Sequence, residues 1–144
     1  MKNIVKLAVI GIIAGIILAL FLKIIQSLTN NQAYNLLFNT DYIPFLNELY
    51  PKYLVEVLFH FITCIMSVIV LFYLLKLFNL QFKLMPYVLI YTAGSSILFP
   101  LTALSERTPD LSDYSAWIYW IIGHMIYSVI VAIMINKWIK MEEL

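Results

Sequence analysis

A chain of 144 residues with 63% hydrophobic and only 12% charged side chains, and a mean hydropathy of +0.92, lies outside the range of soluble globular domains. Its net charge of +1 gives no bulk attraction for nucleic acid, and its single cysteine, Cys64, allows no internal disulfide. The composition is that of a membrane protein.

The apolar residues collect in four blocks, roughly 4–25, 54–77, 84–104 and 116–138. Each is long enough to cross a hydrocarbon core of about 30 Å as a helix, which takes about 20 residues. The expected fold is therefore all-α: a polytopic bundle of four transmembrane helices built as two helical hairpins. The whole chain, 1–144, forms one membrane domain, with short interfacial helices in an outer loop over 26–53. If the helices alternate, Lys2, Lys6, Lys76, Lys83, Lys137 and Lys140 share one side, while Lys23, Lys52 and Arg107 share the other with most of the carboxylates. By the positive-inside rule both termini are cytoplasmic. The first block has lysines before it, like a signal peptide, but it is too long and has no small-residue cleavage site, so an anchored helix is expected.

In the first helix, Gly11, Gly15 and Ala19 form a small-residue stripe that lets another helix backbone come close. Packing against the chain's own helices and a homodimer seam both fit this pattern. The outer loop is rich in aromatic residues, among them Tyr34, Tyr42, Phe45 and Tyr53. Asp41 and Pro44 suit the start of a short helix there, and the loop reads either as an aromatic anchor or as a lid over an outward cavity.

The second helix carries the pattern with the most chemistry. Glu56, His60, Thr63 and Ser67 recur at steps of three and four residues, so all four can share one face toward the bundle interior. The third contains Gly94-Ser95-Ser96 and then Pro100, which crowds the carbonyl of Ser96 and predicts a kink or a helix end there. Ser95 or Ser96 can satisfy the freed carbonyl, and the kink can also open a polar cavity. In the following loop Asp113 or Ser112 suits the cap of the last helix, and Glu106 and Asp110 read as solvated charges or as a cation-gathering mouth. The fourth helix opens with Trp117, Tyr119 and Trp120 at belt level, followed by His124, Tyr127 and Ser128.

His60 and His124 are the only histidines. Each lies seven or eight residues into its helix, about 10–12 Å below the start, on helices that run in the same direction. Similar short texts follow both, as in a parallel repeat of two hairpins. If the two helices are neighbours, Glu56, His60 and His124, with Thr63 and Tyr127 close by, make one polar site. Structural hydrogen bonding, a proton-responsive role and metal binding are the three readings of that site. No catalytic triad, phosphate loop or cofactor fingerprint is present, so no catalytic residue, cofactor or soluble small-molecule substrate is assigned.

The chain resembles the YagU-like inner-membrane proteins of bacteria. The resemblance is carried by Gly11-Ile-Ile-Ala-Gly15 with Lys23, by His60 and its trailing apolar run, by Phe99-Pro100-Leu101 with Pro109, and by Gly123-His124. The family pattern places an acidic residue one turn before the second histidine; here Trp120 stands there, and the nearest equivalent is Glu56 before His60. The resemblance implies a bacterial cytoplasmic membrane location and a link to acid resistance, with no known reaction. A non-enzymatic, proton-responsive or proton-conducting bundle is thus expected, with a helix-packing scaffold and an intramembrane metal-binding protein as the alternatives.

Overall fold

The computed structural model describes residues 2–49 and 51–141, which are all-α. Four long helices form a bundle: α1 (Lys2–Thr29), then, after the short helices α2 (Ala33–Leu37) and α3 (Pro44–Asn47), α4 (Lys52–Leu77), α5 (Leu84–Leu98) and α6 (Tyr114–Ile135). A 3₁₀ turn over Phe99–Leu104 prolongs α5, and a π-helical turn over Asn136–Lys140 prolongs α6. The spans so formed have 27, 26, 21 and 27 residues, enough to cross an apolar core of about 30 Å at a rise of about 1.5 Å per residue. Only 22% to 39% of each span's most apolar stretch is buried within the protein, so the remaining apolar surface requires an apolar medium. The protein is an integral, multi-pass membrane protein, with lipid as the solvent for that surface.

Local chemistry ends the helices where sequence and structure agree. Asn30 and Asn79, just beyond α1 and α4, take left-handed backbone angles (φ 58° and 56°), which asparagine tolerates better than most residues and which stop a helix. Asp113 caps α6, accepting the Ala116 amide at 3.0 Å. Pro44 occupies the first turn of α3 as expected, but the residue before it is Ile43 with no side-chain cap, and Asp41 is engaged elsewhere. Pro100 lies in the 3₁₀ turn, where α5 loses its regular ladder. Ser95 and Ser96 both donate to the Thr92 carbonyl, at 2.9 and 2.8 Å, so Ser96 serves a carbonyl one turn back and not the one that Pro100 crowds.

Helix α1 is the spine. It packs against α4 on one side and α6 on the other, and α6 in turn carries α5, so the hairpins α1/α4 and α5/α6 stand side by side. Leu7, Ile10, Ala14, Leu18 and Leu22 repeat every three or four residues and are buried. Two close approaches fix the spacing. A Cβ at Gly11 would sit 2.9 Å from the Cys64 carbonyl oxygen and from Ile65 Cα, and one at Gly15 would sit 2.9 Å from Cys64 Sγ. On the other side, a Cβ at Gly123 of α6 would meet Leu18 at 2.9 Å. The small-residue stripe is thus filled by the protein's own α4: Gly11 and Gly15 are buried within the chain and only Ala19 is half-buried, which leaves no open glycine seam for a second copy.

No similar packing joins α4 to α5, although only a short turn separates them in sequence. The opening between them matters for the site. Gly11→Leu is expected to destabilise the bundle by about 1–3 kcal/mol, because it drives a side chain into α4 backbone that cannot yield. Gly94→Ala, at a position with nothing within 4 Å, is expected to be neutral or to gain up to about 1 kcal/mol of helix propensity. Thermal melting in detergent micelles compares the two.

Candidate functional site

At the loop end of the bundle, the half that carries α2 and α3, the hairpins enclose a cavity of about 500 Å³. His60 and Thr63 of α4, Tyr91 and Gly94 of α5, and His124 and Tyr127 of α6 all border it. Leu18 of α1 stands at its back, and Leu36, Leu37 and Tyr42 of the first loop roof it. The long loop therefore covers the cavity. The mouth lies between α4 and α5, where Thr63, Ile90 and Leu98 are exposed.

Of the residues singled out in sequence, His60, Thr63, His124 and Tyr127 share this one cavity. Glu56 does not border it. Glu56 is 6% exposed and accepts a 2.6 Å bond from Arg107 Nη2. Arg107 also clasps Asp41 through Nε and Nη2, at 2.9 Å each, and Lys52 pairs with Asp41 at 2.6 Å. Ser105 donates to Asp41 at 2.6 Å, and Asn39 donates to Ser105 at 2.7 Å. A single charged cluster thus ties the first loop, the second loop and the top of α4 together above the cavity. The guanidinium beside Asp41 holds its carboxyl well below the usual carboxylate range.

The two imidazoles are held by backbone. His60 Nε2 donates to the Gly15 carbonyl at 3.3 Å, a contact available only because the glycine brings α1 close. Cys64 Sγ lies 3.9 Å from His60 Nδ1, one turn below. His124 Nδ1 donates to the Trp120 carbonyl at 2.8 Å. A carbonyl can only accept, so these bonds assign the neutral tautomers: Nε2–H in His60 and Nδ1–H in His124. His124 Nε2 then presents a lone pair with no hydrogen-bond partner among the described residues. Tyr127 Oη donates to the Cys64 carbonyl and meets Ser67 Oγ, both at 3.2 Å, bridging α6 to α4 below the cavity. The rings of Tyr91 and Tyr127 meet edge to face, 5.0 Å apart.

Several of these roles were not expected from sequence. The place of Trp120 near the start of α6 suggests a belt residue, but it is buried; its Nε1 donates to the Ser95 carbonyl at 2.9 Å and its ring lies 4.4 Å from that of His124. Thr63 was placed toward the interior with Glu56 and His60, yet it is exposed, at the mouth. At about 100° per residue Thr63 lies about 60° round the helix from His60 and about 100° from Cys64, on the side away from the buried stripe. Tyr91 and Gly94 carried no signal as wall residues, since a cavity between two unpacked helices leaves no spacing pattern. Arg107 as a partner for Glu56 is a contact across 51 residues that local reading cannot find.

Among the described residues, no three His, Cys, Asp or Glu side chains come together as metal ligands would, and the carboxylate expected beside the histidines is spent on Arg107. The fold and the site together define a multi-pass helical membrane protein with a laterally open, histidine-bearing cavity. No family model, curated protein or solved structure matches the chain.

Arg107→Ala leaves Glu56 buried without its cation. The expected cost is about 1.5–3 kcal/mol, toward the lower end because the guanidinium is half-exposed. Arg107→Lys should recover only part of the loss, since an ammonium cannot reproduce the fork across Asp41 and Glu56. A double-mutant cycle with Glu56→Gln, read by thermal melting, measures the coupling directly.

Proposed function

We propose that this protein is a non-enzymatic, proton-responsive membrane bundle in which protonation of His60 and His124 opens the loop-end lid. The reading rests on one observation: the only two histidines border the same cavity from different helices. Histidine is the side chain whose ordinary pKa, about 6.5, falls in the range an acidifying medium crosses. Protonation would occur at His60 Nδ1 and His124 Nε2, the nitrogens that carry no proton in the neutral tautomers.

Among the described residues, the other titratable side chains that border the cavity are Cys64, Tyr42, Tyr91 and Tyr127, and no Asp, Glu, Lys or Arg lines it. Two imidazolium charges there have no carboxylate to pair with, so they repel each other and draw in water. Leu36, Leu37 and Tyr42 are the groups that water would displace. The charged cluster above works on a different scale. Asp41, with its carboxyl held low, contributes stability that is full above its ordinary value near 4 and is lost only as the pH falls well below that. A transition above that value therefore belongs to the histidines and not to the roof.

The lysine-rich end, with Lys6, Lys76, Lys83, Lys137 and Lys140, supports a cytoplasmic placement of both termini and an outward-facing lid. The resemblance to the YagU-like proteins supports a bacterial cytoplasmic membrane and acid-stress tolerance as the setting. In proteoliposomes, the protection of amides over 33–42, corrected for intrinsic exchange, is expected to fall as the pH is lowered from 7.5 to 4. The His60→Ala/His124→Ala protein, checked for an intact melt, should lose that transition; an unchanged pH profile in the double variant removes the proton reading.

A further inference from the structure

The cavity has a second property that proton chemistry does not use: it opens sideways, into the plane of the membrane. Its mouth lies between α4 and α5, which do not pack together, and exposed Ile90 and Leu98 stand at the rim. A volume of about 500 Å³ falls within the range of about 300–1,000 Å³ usual for small-molecule sites. The walls are overwhelmingly apolar, yet polar groups are left over on α4, α5 and α6. The Thr63 hydroxyl, exposed at the mouth, makes no hydrogen bond among the described residues. His124 Nε2 offers an unpaired lone pair, and buried Tyr91 Oη lies beside Ser67 and Tyr127 without hydrogen-bond geometry to either. Unpaired polar groups at this depth are costly, because lipid tails cannot satisfy them.

From these features we infer that the cavity is a binding site for a neutral, hydroxyl-bearing membrane lipid, which enters between α4 and α5 and seats its head among Thr63 and His124. The occupant has to be apolar along most of its length, since the walls are. It has to be neutral, since among the described residues no Asp, Glu, Lys or Arg borders the cavity to pair with a phosphate or an amine. Its head has to donate as well as accept: a lipid O–H donates to His124 Nε2, and its oxygen accepts from the Thr63 hydroxyl. An alcohol or a phenol meets both requirements. Gly94 keeps the entrance clear, because no heavy atom lies within 4 Å of where its Cβ would be.

The two readings share His124 Nε2 and are tested apart: lipid binding is counted at pH 7.5, and its failure leaves the proton reading standing, while an unchanged pH profile in the double histidine variant leaves lipid binding standing. The test uses the full chain in detergent micelles, with bound lipid counted by native mass spectrometry. The probes are 1,2-dioctanoylglycerol, its acetylated form without a hydroxyl, and dioctanoylphosphatidic acid. Dioctanoylglycerol is expected to bind best, with acetylation weakening it by about two- to tenfold, the worth of one neutral hydrogen bond, and the phosphatidic acid weaker still. Thr63→Val, nearly isosteric and at the surface, should weaken dioctanoylglycerol by a similar factor. Gly94→Leu should abolish its binding while leaving the melting temperature within a few degrees of the parent. Equal binding of all three lipids, or undiminished binding to a folded Gly94→Leu protein, would mean that the mouth is only a recess in the lipid-facing surface and would overturn the assignment.

Discussion

The close approach of α1 to α4 at Gly11 and Gly15 sets the geometry of everything else. With a larger residue at either position, a Cβ would overlap the Cys64 carbonyl or its sulfur, and α4 would have to move away from the spine. As it stands, α4 lies near enough for His60 to reach the Gly15 carbonyl. On the other flank of α1, Gly123 lets α6 lie against the Leu18 side chain, a softer contact than the backbone one at Gly11. Two tight contacts on one helix leave the partner helices splayed, and α5, carried by α6, never closes against α4. The cavity is the space left by that arrangement, so packing and site have a single cause.

The polar groups sort by depth. Ionised side chains keep to the two ends of the bundle, and at the loop end Arg107 joins Asp41 to Glu56 and Lys52 completes the cluster. Deeper in the bundle the polar groups are neutral and are mostly held by backbone carbonyls: Ser95 and Ser96 by Thr92, Trp120 by Ser95, Tyr127 by Cys64, His124 by Trp120. This is the economical solution in a low-dielectric interior, where an unpaired charge is far more costly than an internally bonded hydroxyl or indole. It also leaves the two imidazoles as the groups in the cavity whose charge can change near neutral pH without a built-in counter-ion.

Much of this was legible in the sequence. The four spans, the two-hairpin order and the Asp113 cap follow from apolar length and helical spacing, which are local properties, whereas the meeting of His60 and His124 at one cavity depends on how their helices pack. Glu56 was placed with His60 by the same i, i+4 logic. They do share a face, but spacing along one helix cannot reveal that an arginine on a distant loop reaches the carboxylate first. Trp120 shows a similar limit: its position near a helix start suggests an interfacial ring, and only the neighbouring α5 makes it a buried donor. The glycine stripe could serve a second copy or the chain itself, and the choice between them is a property of tertiary packing. The lateral mouth is the least legible feature of all, because it exists where two helices fail to meet.

The most direct measurement is solid-state NMR of ¹⁵N-histidine-labelled protein in bilayers, with water-edited detection. Two rings in one wettable cavity should both exchange magnetisation with water, and at high pH His60 should carry its proton on Nε2 and His124 on Nδ1. As the pH is lowered, both should take up protons. A ring that sees only lipid chains, or a pair in which one imidazole never meets water at any pH, would contradict a shared site.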